Sequence, residues 1–328
     1  MNTRIKNNLW LVASLALIVL LSACNAANSV PPTQAAPLRV TYSLWPGDYP
    51  AILAQELGLF EKHGVQVTLI PLENYSDLMS LFLSGQADIS LPTWTEAITM
   101  NDRKPGYFKV ILAYDYSDGA DHIICVPEIQ TIADLRGKRI GVTPRTFGEM
   151  FVREMLAREG LTLNDVTLVD LGPEQIVSNL PDKIDAGYTW EPYTSQALKQ
   201  GYNVLFDSRS TPGLLADTII ARTDIVRNRP QNLQAFVDAW FEALAYWQAN
   251  PDQAAAIIAQ TTDQQPEDIS LEGIHMYSRE ENRQVFDPNG GPLSLFTTGQ
   301  TITTFLKSVG VLSAPPDINA LLDPSFIQ

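Results

Sequence analysis

The sequence contains few residues of the types that build disulfide frameworks and metal sites. It has 2 cysteines and 3 histidines among 328 residues. Two cysteines cannot form a disulfide framework, and His63, His122 and His275 are too scattered to predict a histidine-built metal site. We therefore expect no metal site and no cofactor.

Positive charge is also scarce. The chain carries 22 Lys+Arg against 37 Asp+Glu, a net charge of −15. An excess of negative charge repels phosphate backbones, which argues against a nucleic-acid-binding protein. The body of the chain has no low-complexity tract, and 45% of its residues are apolar, as in a globular protein. The length suits two lobes of ordinary domain size.

The N-terminus has the pattern of a bacterial export signal. Arg4 and Lys6 precede an apolar run over residues 9–21, which is shorter than the roughly 20 residues that span a bilayer. The segment Leu21-Ser22-Ala23-Cys24 then resembles a lipobox. We predict a signal peptide over 1–23, a lipidated Cys24 and a flexible tether over 24–37, which would anchor the protein on the extracytoplasmic face of the cell membrane.

From Leu38 onward, short β-like runs alternate with amphipathic stretches, which predicts an α/β protein with largely parallel sheets. We assign residues 38–116 and 217–328 to lobe 1 and residues 117–216 to lobe 2, with a hinged cleft between them. Predicted strands cover 38–43, 65–72, 87–91, 108–114, 122–126, 139–143, 166–171, 185–190, 202–206 and 217–221. Predicted helices cover 49–63, 76–84, 132–137, 147–159, 191–200, 230–250, 251–260, 266–283 and 295–309.

The chain from Leu38 to its end resembles the solute-binding proteins of ABC importers that serve nitrate, taurine, alkanesulfonates and thiamine-precursor pyrimidines. The resemblance rests on segments in one order, including residues 54–67 (AQELGLFEKHGVQV), 129–142 (IQTIADLRGKRIGV) and 211–226 (TPGLLADTIIARTDIV). It implies a two-lobed periplasmic-binding-protein-like fold with the ligand held between the lobes. It also implies a membrane permease and its ATPase as partners, and we expect a monomer.

Enzyme motifs are absent from the sequence. It contains no G-x-S-x-G elbow, no P-loop, no H-E-x-x-H and no G-x-G-x-x-G after a strand. An enzymatic relative with this fold makes the thiamine pyrimidine and carries a cysteine-rich run. Here the one cysteine of the predicted body, Cys125, lies in an apolar strand and is expected to be buried and inert. A binding protein is therefore favoured, with a pyrimidine-synthase-like enzyme as the alternative of another class.

The candidate ligand site lies at the ends of the predicted strands, where ligands bind in open α/β sheets. Three of the six tryptophans fall there, together with several tyrosines and carboxylates, while Arg145 is the one basic residue of those loops. The predicted ligand-binding residues are Trp45, Tyr49, Tyr75, Trp94, Glu96, Asp115, Tyr116, Thr146, Trp190, Glu191 and Asp217.

The balance of aromatic and acidic residues favours a planar, neutral heterocycle with N–H or O–H donors. Within the resembling family this points to riboflavin first, since the lipoprotein form is closest to riboflavin-binding proteins, and to a thiamine-type pyrimidine next. A small anion such as nitrate, taurine or an alkanesulfonate, bound through Arg145 and helix N-termini, is the alternative. Trp45 directly precedes Pro46, and Trp190 stands two residues before Pro192. We expect these two residues to approach one ligand from opposite lobes and couple binding to closure.

The first prediction concerns lipidation. Cys24→Ala removes the thiol that would receive the lipid, so this variant should incorporate no radiolabelled fatty acid and should be released or remain unprocessed. Ser22→Thr keeps the cysteine and should still be labelled. Label on the Cys24→Ala protein would contradict the assignment.

Overall fold

The computed structural model describes residues 36–327, so the predicted signal peptide, Cys24 and most of the tether lie outside the described residues. The described chain is a mixed α/β protein, which confirms the predicted fold class. Its strands are β1 (Leu38–Tyr42), β2 (Val67–Pro71), β3 (Ile89–Ser90), β4 (Phe108–Ser117), β5 (Asp121–Cys125), β6 (Arg139–Gly141), β7 (Thr167–Val169), β8 (Ala186–Trp190), β9 (Asn203–Asp207), β10 (Ala216–Arg222) and β11 (Ile274–Met276).

The helices lie mostly between these strands. They are α1 (Pro50–Glu56), α2 (Leu59–Lys62), α3 (Asp77–Leu83), α4 (Trp94–Arg103), α5 (Phe147–Ala157), α6 (Ile176–Asn179), α7 (Tyr193–Lys199), α8 (Thr223–Asn228), α9 (Pro230–Ala249), α10 (Pro251–Thr262), α11 (Arg279–Val285), α12 (Leu295–Ser308) and α13 (Ile318–Leu321). Among residues 36–327, none of the helices is long and apolar enough to cross a bilayer.

The strands form two sheets. Sheet A has the order β11-β4-β10-β3-β1-β2, and sheet B has the order β7-β6-β8-β5-β9. The chain passes from sheet A to sheet B between β4 and β5, and it returns between β9 and β10. We propose that the residues around sheet A form lobe 1 and that those around sheet B form lobe 2.

The expectation of largely parallel sheets was wrong. The β1–β2, β1–β3, β6–β7 and β6–β8 pairs are parallel, but β10 runs antiparallel to both β3 and β4, and β5 runs antiparallel to both β8 and β9. The reason is topological, because β10 returns from lobe 2 in the opposite direction and inserts into the middle of sheet A.

Two predicted helices are interrupted at glycines. The helix predicted over 49–63 is two short helices, α1 and α2, separated at Gly58 with φ +67°. The helix predicted over 266–283 was wrong: this stretch contains β11 and only then α11, which Ser278 begins with a capping box. Gly273, at φ +74°, precedes β11, and a side chain there would lie 2.8 Å from the backbone of Gly119.

Helix α9 supplies much of the core of lobe 1. Pro230 begins it, and its apolar face buries Phe236, Trp240 and Trp247. The Trp240 ring packs edge-on against Tyr114 of β4 with 5.3 Å between the ring centroids. This contact joins the helix layer to the sheet beneath the cleft.

The second prediction concerns this core. Trp240 is fully buried, so Trp240→Ala should lower the free energy of unfolding by about 3–5 kcal/mol, as measured by urea denaturation. Leu198→Ala is the control, because Leu198 is 50% exposed and its truncation should change stability by less than about 0.5 kcal/mol. A loss below about 1 kcal/mol for Trp240→Ala would contradict the assigned packing.

Candidate ligand site

A cavity of about 600 Å³ lies between the two sheets. This is within the range of small-molecule sites, which is about 300–1,000 Å³. Its lining comes from both proposed lobes. Lobe 1 contributes residues near α3 and α4, and lobe 2 contributes the segment that leads into α5 and the turn after β7; they include Tyr75, Ser76, Glu96, Thr99, Thr143, Arg145, Thr146, Phe147, Gly172 and Glu174.

A second, much smaller cavity of about 20 Å³ shares Tyr75 and Phe147 with the first. We call it the inner cage. It has room for about one water molecule or a group of that size. Aromatic rings and two carboxyl groups line it: Trp45, Tyr75, Tyr114, Phe147 and Trp190, with Asp121 and Asp217.

The rings of the inner cage pack across the proposed cleft. Tyr75 of lobe 1 meets Trp190 of lobe 2 edge-on, with 5.5 Å between centroids and 76° between planes. Tyr75 also meets Phe147 of lobe 2 edge-on, with 5.8 Å between centroids and 79° between planes. Contacts of this kind contribute about 0.5–1.5 kcal/mol each beyond the buried area. They therefore hold the lobes together at this point.

Asp115, behind Trp45, is completely buried. The Trp45 indole Nε1 donates to its Oδ2 at 2.9 Å, while its Oδ1 has no hydrogen-bond partner among the described residues. Asp217 of β10 lies directly opposite Asp115 of β4 in the antiparallel pair. Burial, and after it the mutual repulsion of neighbouring carboxylates, raises the pKa of Asp217 well above its ordinary value. Burial raises the pKa of Asp115 to about 7.

Two further aspartates in this region have tyrosine donors. Asp48 accepts the backbone N–H of Ser43 at 2.7 Å and the Tyr114 hydroxyl at 2.6 Å, yet burial raises its pKa to about 7. Asp121 accepts the hydroxyl of Tyr188, and burial raises its pKa to about 6. In both cases the desolvation of the charged carboxylate outweighs the hydrogen bonds.

Glu96 belongs to the larger cavity. It lies in the first turn of α4, where the Thr93 side chain accepts its backbone N–H at 3.2 Å. Burial raises its pKa to about 8, although the backbone N–H of Phe147, from the opposite lobe, favours its charged form. Its Oε2 has no partner among the described residues. A ligand with N–H or O–H donors would satisfy this oxygen.

Seven of the eleven predicted ligand-binding residues lie together. The inner cage is lined by Trp45, Tyr75, Trp190 and Asp217, with Asp115 directly behind Trp45. The larger cavity is lined by Glu96 and Thr146, and Tyr75 belongs to both cavities. Trp45 and Trp190 thus face one cavity from opposite lobes.

The other four lie elsewhere. Tyr49 stacks on Trp247 at 6.3 Å, and Tyr116 packs on His275 at 4.9 Å beside β11. Trp94 is fully buried, with its Nε1 donating to the carbonyl of Leu295 at 3.0 Å under α12. The Glu191 carboxylate accepts the backbone N–H of Ser195 at 3.1 Å, in the first turn of α7. We leave these four residues out of the ligand set.

Sequence reasoning missed several residues of the site. Phe147 and Tyr188 line the larger cavity, and Tyr114 and Asp121 line the inner cage. Phe147, Tyr188 and Tyr114 all stand in the strand-end segments, but residue type alone did not select them for the predicted set. Arg103 also lines the larger cavity with Arg145, and both side chains are exposed.

The fold of the described residues matches that of solved binding proteins. A solved structure of the alkanesulfonate-binding protein SsuA from Xanthomonas axonopodis pv. citri, bound to MOPS, matches with a TM-score of 0.73, covering 89% of this chain and 99% of that one at 15% identity. The NMT1/THI5-like family model matches residues 45–254, more than half of the chain. The chain belongs to the NMT1/THI5-like family.

Two relatives by sequence are informative. A protein of Brucella abortus, named a putative binding protein, is 29% identical over 77% of this chain and 78% of its own length. The riboflavin-binding protein RibY of Chloroflexus aurantiacus is 29% identical over 61% of this chain and 58% of its own length. Synthases of a pyrimidine phosphate occur among the more distant relatives.

The third prediction concerns the buried acids. Asp48, Asp115 and Glu96 have raised pKa values of about 7, 7 and 8, so the folded protein keeps protons that the unfolded chain has already lost. Folding then binds protons, and the melting temperature of the ligand-free protein should fall as the pH rises from about 6.5 to 8. His122, whose pKa burial lowers to about 4 from 6.5, acts in the opposite direction but mainly below this window.

Asp115→Asn should flatten this pH dependence, because it removes one of the groups that bind a proton on folding. Asp134→Asn is the control: hydrogen bonds lower the pKa of Asp134 below 3.8, so the wild-type slope should persist. A melting temperature that is constant or rising across the window would show that the carboxyls are already charged in the folded protein.

Proposed function

We propose that this protein is the extracytoplasmic solute-binding component of an ABC importer, and that it captures a planar heterocycle bearing N–H or O–H donors. Riboflavin and a thiamine-type pyrimidine are the candidates. We further propose that a lipid on Cys24 anchors it to the membrane, and that the closed, loaded form docks on a permease driven by an ATPase.

One observation carries the ligand class: aromatic rings from both proposed lobes surround a cavity in which the Glu96 Oε2 has no donor among the described residues. Tyr75 and Phe147 connect the inner cage to the larger cavity, so a flat ring bound there would contact both lobes. The Glu96 Oε2 can accept a hydrogen bond from a ligand N–H or O–H. A donor-bearing ring satisfies this oxygen and favours closure through its contacts with both lobes.

The relatives support this class in part. RibY is named as a riboflavin-binding protein, and its match covers 61% of this chain. The enzyme alternative would need a reactive group. Cys125 is fully buried, and burial raises the pKa of its thiol to about 11, so it is not an activated nucleophile.

A second candidate function is the binding of a small organic anion. It is favoured by Arg103 and Arg145, which line the larger cavity from opposite lobes. SsuA, the structural neighbour, is named as an alkanesulfonate-binding protein. However, both arginines are exposed to water, where an ion pair is worth little, and the enclosed part of the site is acidic. The heterocycle is therefore our first proposal.

The fourth prediction is a titration followed by tryptophan fluorescence, with riboflavin, a thiamine-type pyrimidine, taurine and nitrate. A ring compound should bind saturably, and Trp190→Ala should weaken its binding by at least about fivefold, the order of one aromatic contact. Trp94→Phe is the matched control, because Trp94 lies outside both cavities; it should leave the affinity unchanged. Saturable binding of taurine or nitrate with no response to any ring compound would refute the proposal.

A further inference from the structure

We propose that the inner cage binds a positively charged nitrogen group of the ligand, such as a protonated amine or amidine, while the body of the ring occupies the larger cavity. This inference rests on the proposed function and narrows its ligand class. Aromatic faces and Asp217 would share the recognition of that group.

The walls of the cage are the first argument. Five aromatic rings line a space of about 20 Å³, and no Lys, Arg or His side chain is among its lining residues. Aromatic faces attract cations through the negative charge above the ring, and this attraction grows when the cation is desolvated. The space is too small for a heterocycle and suits one compact group.

The Asp217 carboxyl is the second and independent argument. Its residue is 9% exposed and lines the cage. Asp48, Asp115 and Asp121 accept hydrogen bonds from Tyr114, Trp45 and Tyr188. Asp217 instead lies opposite Asp115 in the β4–β10 ladder, within hydrogen-bonding reach of its carboxyl, so one of the two acids must hold a proton. A positive group of a ligand can take the place of that proton, because it supplies both the donor and the opposite charge.

Charge balance points to a cation instead of a neutral donor. Asp48, Asp115 and Asp121 all raise the pKa of Asp217 by repulsion, so four acidic groups share this region without a basic partner among the lining residues. A neutral N–H would donate to one carboxyl oxygen but would leave the repulsion between the acidic groups. A positive group between Trp45, Trp190 and Asp217 supplies a donor and also reduces this repulsion.

The consequence is a preference among heterocycles. Because Tyr75 and Phe147 line both cavities, a ring between them can place one substituent in the cage. A pyrimidine with a protonated aminomethyl substituent has the required charge, whereas the riboflavin ring system is neutral. The inference therefore favours an amine-bearing pyrimidine over a flavin.

The fifth prediction compares two probes that differ in one group: the 5-aminomethyl and 5-hydroxymethyl forms of 4-amino-2-methylpyrimidine, titrated by calorimetry at neutral pH. The aminomethyl form should bind at least about tenfold more tightly to the wild-type protein, the order of one desolvated cation–aromatic contact. Asp217→Asn should bring this ratio to about one. Asp134→Asn, whose residue lines neither cavity, should preserve the ratio.

A wild-type measurement keeps the inference testable if Asp217→Asn does not fold. Methylammonium should compete with the aminomethyl probe, whereas sodium at equal ionic strength should not. Equal binding of the two probes, tighter binding of riboflavin, or displacement by calcium or magnesium but not by methylammonium would overturn the inference and leave the proposed function standing. Binding of taurine or nitrate alone would overturn both.

Discussion

Burial of the Asp115 carboxyl is the constraint on which the centre of the structure depends. It sits on β4, the long strand through which the chain leaves sheet A, and it needs donors that only its neighbours can supply. Trp45 supplies one from the loop after β1. Gly47 must then be a glycine, because a Cβ there would lie 1.7 Å from Asp115 Oδ2 and 2.4 Å from Trp45 Nε1. One buried acid thus determines the path of the loop and the orientation of the indole.

The same constraint relates stability to binding. Buried carboxyls without basic partners are held at a cost, which the protein lowers by keeping them protonated or by adding tyrosine and indole donors. Asp48 and Asp121 use tyrosines, whereas Asp217 faces the cage without one. A site of this kind is less stable empty than occupied by a matching ligand. The buried carboxyls that lower the stability of the ligand-free protein are therefore the groups that contribute to binding affinity.

Most elements could be predicted from local sequence, because their signals are local. Helix α9 begins at a proline and carries a continuous apolar face, and β5 is a short apolar run. The insertion of β10 between β3 and β4 could not be predicted, because no local pattern records which strand a returning segment joins. The same holds for 266–283, where pairing of β11 with β4 overrides helical spacing.

The residues of the candidate site could also be predicted only in part, because local sequence does not show which side chains other elements cover. Trp94 and Trp190 look alike in sequence, since each follows a threonine near a strand end and has a glutamate within the next two residues. They differ only in what covers them: α12 packs over Trp94, whereas Trp190 meets Tyr75 from the other lobe. Residue type predicted aromatic and acidic recognition, but tertiary packing decides which rings reach the ligand.

The two chain segments that cross between the sheets are joined by a pair of serines. Ser117, at the end of β4, and Ser208, after β9, place their hydroxyl oxygens 2.7 Å apart, and Ser208 also accepts the backbone N–H of Gly119 at 2.7 Å. These hydrogen bonds favour bending of the two segments together over sliding of one past the other. Under the proposed function, opening of the lobes would then be described by one equilibrium constant, and every ligand would act by shifting it.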